Sequence, residues 1–203
     1  FDATSNFEGT DENGNAVGTA EVAKDIRASI KEANPNTILM AEDNIESEIM
    51  SGVWDSTWNK WFANVARQWF DGTYQEEALA SDLVKMLKYP RAVGLCMFNQ
   101  YDQHDLERLA ADNNTEKNKL RAIQLLLMTY VGSPCIYYGD EIGMVEGETC
   151  FNWNTNEWNQ DTYALHCALG QLRKDYTALK DGVMKVGLAD NERDLLVFGR
   201  WDM

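Results

Sequence analysis

The stretch VGLCMFNQYDQHDLER, residues 93–108, decides how the rest of the chain is read. Its first six residues, 93–98, are apolar or small and have the composition of a strand buried on both faces. They give way at once to Asp102, Gln103, His104 and Asp105. In parallel α/β proteins, and above all in (β/α)8 barrels, the loops at the C-terminal strand ends converge on one mouth where the chemistry sits. Alone, the polar cluster describes a solvated turn equally well. Repetition of the layout elsewhere weighs against the turn. TILMA at 37–41 ends on Glu42 and Asp43, Phe1-Asp2-Ala3 reads as a strand end carrying Asp2, and PCIYY at 134–138 runs into Gly139, Asp140 and Glu141.

Segments with helical spacing separate these strands. Ala23, Ile26, Ile30 and Ala33 fall on one face of a helix over 20–33, which Asn34-Pro35 stops. Residues 5–18, rich in Gly, Asn, Asp and Thr, read as loop, 43–51 as acidic loop and 52–57 as a short strand. Trp58, Trp61, Phe62, Val65 and Trp69 form one helical stripe, and Leu79, Leu83 and Leu87 another. A helix over 116–131 precedes the strand at 134–138, and a long polar loop with Phe151, Trp153 and Trp158 follows it, of the kind that builds a binding mouth. A last helix spans 161–179, after which 183–186 and 195–201 read as a hairpin that starts an all-β unit. The expectation is an α/β fold with a parallel sheet: residues 1–181 as part of a barrel and 182–203 as the start of a C-terminal β domain.

Composition narrows the partners. A net charge of −15 argues against a nucleic-acid backbone, which needs clustered Lys and Arg. A neutral substrate is easier to accept, and the 7 Trp, 8 Tyr and 7 Phe suit stacking on sugar rings. No apolar run is long enough to cross a bilayer. Cys96, Cys135, Cys150 and Cys167 lack metal-ligand spacing and leave the compartment undecided. Because the chain opens on FDA, it reads as a fragment that begins inside a structural element.

At GSPCIYYGDEIGM, 132–144, the sequence resembles the α-amylase family of glycoside hydrolases, whose last barrel strand leads into an IYYGDEIGM-like segment. The resemblance continues in order through FDA at 1–3, LMAED at 39–43, QHDLER at 103–108 and LRKDYTAL at 172–179. It implies a partial (β/α)8 TIM barrel from about strand four to helix eight. It also implies a retaining hydrolase of α-glucans such as starch and maltooligosaccharides. Asp2 matches the family's nucleophile, Glu42 its general acid/base, Asp105 the carboxylate that stabilises the transition state, and His104 a histidine that hydrogen-bonds the sugar. Retaining glycosidases need one ionised and one protonated carboxyl about 5 Å apart. Departures from the pattern are Gln103 where Asn is common and Ser5-Asn6 where many amylases have Lys-His. Two alternatives stay open: an α-glucan transglycosylase such as a branching enzyme, and a non-catalytic sugar-binding relative. No cofactor or metal is expected on this chain, calcium belonging to a domain that relatives insert elsewhere, and residues 1–203 alone are expected to be inert. His166 is expected to pack, Glu107 and Arg108 to pair with each other, and Asp140 and Glu141 to support the site.

Overall fold

The computed structural model describes residues 1, 4, 9–10, 16–17, 19–42, 52–111 and 117–203. Within the expected loop of 5–18, β1 (Gly9–Thr10) and β2 (Ala16–Val17) form a small antiparallel pair. Helix α1 (Thr19–Ala33) leads into β3 (Met40–Ala41), and β4 (Ser56–Asn59) follows. Next come α2 (Lys60–Phe70), α3 (Glu76–Met86), α4 (Arg91–Cys96) and β5 (Met97–Asn99). Helix α5 (Lys117–Thr129) precedes β6 (Ser133–Pro134); α6 (Gln160–Asp175) and α7 (Thr177–Lys180) precede the hairpin β7 (Val183–Asp190) and β8 (Leu195–Trp201).

The parallel sheet runs in the order β3-β4-β5-β6, so strands successive in sequence are neighbours in space. Its register pairs Met40 with Ser56, Thr57 with Met97 and Phe98 with Ser133. Phe1 extends it on the outer side of β3. Its nitrogen donates to the Met40 carbonyl and its carbonyl accepts from the Glu42 nitrogen, both at 2.9 Å, the alternation of a parallel bridge. This sequential winding, with helices between strands, is a segment of a (β/α)8 barrel wall.

The strands are shorter than their apolar runs. Residues 93–96, expected to be strand, are helix α4, and the ladder begins only at Met97. Pro90 is the cause: it caps α4 with φ −50°, and its carbonyl accepts from Val93 and Gly94. A short apolar run does not distinguish a buried helix from a buried strand by periodicity, and here the proline upstream decides. Trp58, assigned above to a helical stripe, lies in β4, because Asn59 starts α2 by accepting from the Phe62 nitrogen at 3.1 Å. Strand β6 ends early, since Pro134 has no N–H to donate; Cys135 adds one last bond to the Asn99 carbonyl at 2.7 Å. The helix expected over 161–179 is broken at Tyr176, which is extended with φ −112° and ψ 112°.

Phe62, Val65, Leu79, Leu83, Ile123 and Leu127 meet in the main core, where α2, α3 and α5 cover the sheet. The Tyr130 hydroxyl is buried there and donates to the Leu83 carbonyl at 2.6 Å. Helix α1 is held separately by Asp55, which takes Lys31 at 2.8 Å, Arg27 at 2.9 Å and the Leu39 nitrogen at 2.9 Å. The hairpin packs Met184, Leu196 and Phe198 onto the main core, and Arg200 donates to the Thr129 carbonyl at 2.6 Å. Gly182 permits this seat: a Cβ there would stand 2.5 Å from the carbonyls of Ala178 and Trp201.

Candidate active site

Parallel strands deliver their C-terminal ends to one rim, and the candidate groups gather there. Glu42 follows β3 directly, is buried, and has the Lys60 ammonium 3.7 Å from its Oε1. Lys60 is the first residue of α2, immediately after β4. At 3.7 Å the contact is coulombic rather than a tight charge-assisted hydrogen bond. Beneath this rim a polar layer ties the strands together. Asn59 Nδ2 donates to Asn99 Oδ1 at 2.8 Å, and Asn99 Nδ2 donates to the Val131 carbonyl at 2.8 Å.

His104 and Asp105 lie in the turn after β5, with side chains 44% and 61% exposed and His104 Nε2 3.4 Å from Asp105 Oδ1. The Trp58 ring from β4 meets the His104 ring edge-on at 6.3 Å between centroids. Glu42 and Asp105 thus follow the C-terminal ends of β3 and β5, two strands apart in one parallel sheet. Asp2 lies outside the described residues, as does Asp43.

Behind the rim two arginines are packed against two carboxylates. Arg67 Nη1 binds Asp102 at 2.7 Å, and its Nη2 donates to the Glu107 carbonyl at 2.7 Å. Arg108 is fully buried; it binds Asp140 at 2.7 Å, donates to the carbonyls of Glu146 and Tyr138 at 2.6 Å each, and lies 4.3 Å from the Tyr137 ring centroid. The pair expected between Glu107 and Arg108 is thus replaced by Arg108 with Asp140. A buried guanidinium gains more from a buried carboxylate than from an exposed neighbour in sequence. Asp140, expected to support the site, is held by Arg108 behind the rim. Glu141 accepts from the Gly139 nitrogen at 2.8 Å. His166 packs in α6, its Nδ1 3.0 Å from the Thr162 carbonyl. Lys60 and Arg67 were missed in the sequence. They are the only charged residues on α2, a helix without a single acid, and that imbalance was the signal.

Burial raises the Asp140 carboxyl to about 8, aided by the charge of Asp102 and opposed by Arg108. Burial likewise raises Asp102 to about 6 against the pull of Arg67. An unfolded aspartate titrates at about 3.9, so between about pH 4 and 8 these two carboxyls hold more protons in the folded state than in the unfolded one, opposed near neutrality, among the described residues, only by His166, whose imidazole burial lowers. Raising the pH through that window removes them from buried carboxyls and lowers stability. We expect the melting temperature to fall as pH rises from 5 to 8, and Asp140→Asn to flatten that slope while lowering stability at pH 5. A slope unchanged in Asp140→Asn would remove Asp140 as its source.

Against known proteins, the family profile "Alpha amylase, catalytic domain" matches residues 4–185. A cyclomaltodextrinase from Bacillus sp is 31% identical over 188 residues, covering 88% of this chain and 34% of that protein. Neopullulanase 2 of Thermoactinomyces vulgaris is 30% identical over 187 residues, covering 87% of this chain and 32% of that protein. Among solved structures, a cyclomaltodextrinase superposes with a TM-score of 0.81 at 30% identity, over 90% of this chain and 33% of that one. The chain spans about a third of the length of the curated relatives it matches.

Proposed function

The chain belongs to the α-amylase family, and we propose that the intact protein is a retaining hydrolase of α-glucans with Glu42 as its acid/base. The observation that carries this reading is Glu42 itself: a buried carboxyl at the end of a parallel strand, on the rim that also presents His104 and Asp105. In the first step Glu42 gives its proton to the glycosidic oxygen while Asp2 attacks the anomeric carbon, breaking the C–O bond and forming a glycosyl ester. In the second step Glu42 takes a proton from water, whose oxygen attacks the same carbon and releases Asp2. Asp105 supplies negative charge to the oxocarbenium-like transition state, and His104 hydrogen-bonds the sugar. No metal or cofactor enters either step. Residues 1–181 supply part of the barrel, and 182–203 begin a β unit packed against it.

Hydrolysis is preferred to transfer because the relatives reported above are named cyclomaltodextrinase and neopullulanase. Incubating the intact protein with a cyclomaltodextrin and, separately, with amylose tests the reading. Reducing ends should accumulate in both, with iodine staining of amylose lost in step. New branch points without reducing ends would overturn hydrolysis, and no change in either substrate would overturn the α-glucan reading.

A further inference from the structure

Trp153, in the loop between β6 and α6, keeps 81% of its surface in water. Single exposed aromatics are common, but this one stands on a built support. Asn152 and Asn154, on either side of it, both donate side-chain amides to the Glu157 carboxylate, at 2.9 and 2.7 Å. Asn152 Oδ1 accepts from the Asn154 nitrogen at 2.9 Å, and its carbonyl accepts from Trp158 Nε1 at 2.7 Å. Phe151 meets the Trp153 ring at 4.6 Å between centroids, Trp158 meets Phe151 at 6.2 Å, and Tyr163 of α6 meets Trp158 at 5.2 Å. The backbone around Trp153 is pinned on both sides and its ring is propped on an aromatic series rooted in a helix, so binding there costs little ordering entropy.

The loop is also tied to the candidate site. Arg108, three residues beyond Asp105, grips it at the Glu146 carbonyl, and the Tyr138 hydroxyl donates to the Thr149 carbonyl at 2.7 Å. Exposed Asn154, Thr155, Asn156 and Glu157 adjoin Trp153, a polar setting unlike the apolar surround of a protein-interface anchor. A flat apolar face among amides fits a pyranose, whose C–H face is apolar and whose edges carry hydroxyls.

We propose that Trp153 is a stacking position for a distal glucose unit of a long α-glucan chain whose near end occupies the rim around Glu42. This rests on the α-glucan reading above and adds to it a dependence on chain length. Isothermal titration of the intact Glu42→Gln protein with maltoheptaose and with maltose tests it without turnover. Adding Trp153→Ala should weaken maltoheptaose about tenfold and leave maltose within about twofold, while Trp153→Phe should retain most of the affinity. The melting temperature should not move, since little of the ring is buried. Equal maltoheptaose affinity with and without Trp153 would overturn the stacking position alone, as would an equal loss for maltose. If the Glu42→Gln protein bound neither sugar, the α-glucan reading would fall and the stacking position with it.

Discussion

Replacing Glu42 by Gln in the intact protein should lower turnover of starch and maltooligosaccharides about a thousandfold or more. The amide fills the same buried site after β3 but can neither give a proton to the leaving oxygen nor take one from water. The diagnostic part is the escape: an aryl maltoside with a good leaving group needs no protonation in the first step, so glycosyl-ester formation should partly recover. Steady-state turnover recovers less, because the second step still lacks its base, and a burst of released phenol should precede a slow phase. Pre-steady-state assays of both substrates check this. Wild-type turnover of ordinary glucan by the variant would exclude Glu42 as the acid.

Asp105→Asn should cost a comparable factor, about a thousandfold, with no escape on the activated substrate. Its charge is needed where positive charge develops on the sugar, and that demand does not depend on the leaving group. Parallel loss on maltooligosaccharide and aryl maltoside is the expected pattern, measured as kcat/KM on each. Rescue by the better leaving group would show that Asp105 acts at the leaving oxygen instead. In the absence of substrate Asp105 is largely in water, beside His104, so the loss should come without a change in melting temperature.

The alternation of strand and helix was legible because apolar runs at 37–41, 93–98 and 134–138 each led to carboxylates with helical segments between; β4, which runs into Lys60, lacked that mark. Strand lengths were not. The run at 93–98 is continuous in hydrophobicity, yet Pro90 converts its first part to helix α4. Trp58 looked like the first member of a helical stripe because its spacing to Trp61 and Phe62 fits, while the N-cap at Asn59 places it in β4, facing His104. The positions of Glu42, His104 and Asp105 beyond the ends of β3 and β5 were legible in the sequence, while the roles proposed for them come from the family's motifs. For Lys60 and Arg67 the acid-free charge pattern of α2 marked the residues but not their partners, Glu42 and Asp102, which lie 18 and 35 positions away in sequence. Arg108 was read with the wrong partner for the same reason: Glu107 is adjacent in the chain, but Asp140 is adjacent in the core.

The stereochemistry of the first product distinguishes double displacement at Asp2 and Glu42 from direct attack by water. Proton NMR of maltooligosaccharide hydrolysis by the intact protein, recorded faster than mutarotation, should show the α-anomer of the new reducing end appearing first. Double displacement through a glycosyl ester on a carboxylate about 5 Å from the acid requires that outcome. Initial release of the β-anomer would mean a single displacement by water, with carboxylates about 6.5–9.5 Å apart, and would contradict a retaining mechanism.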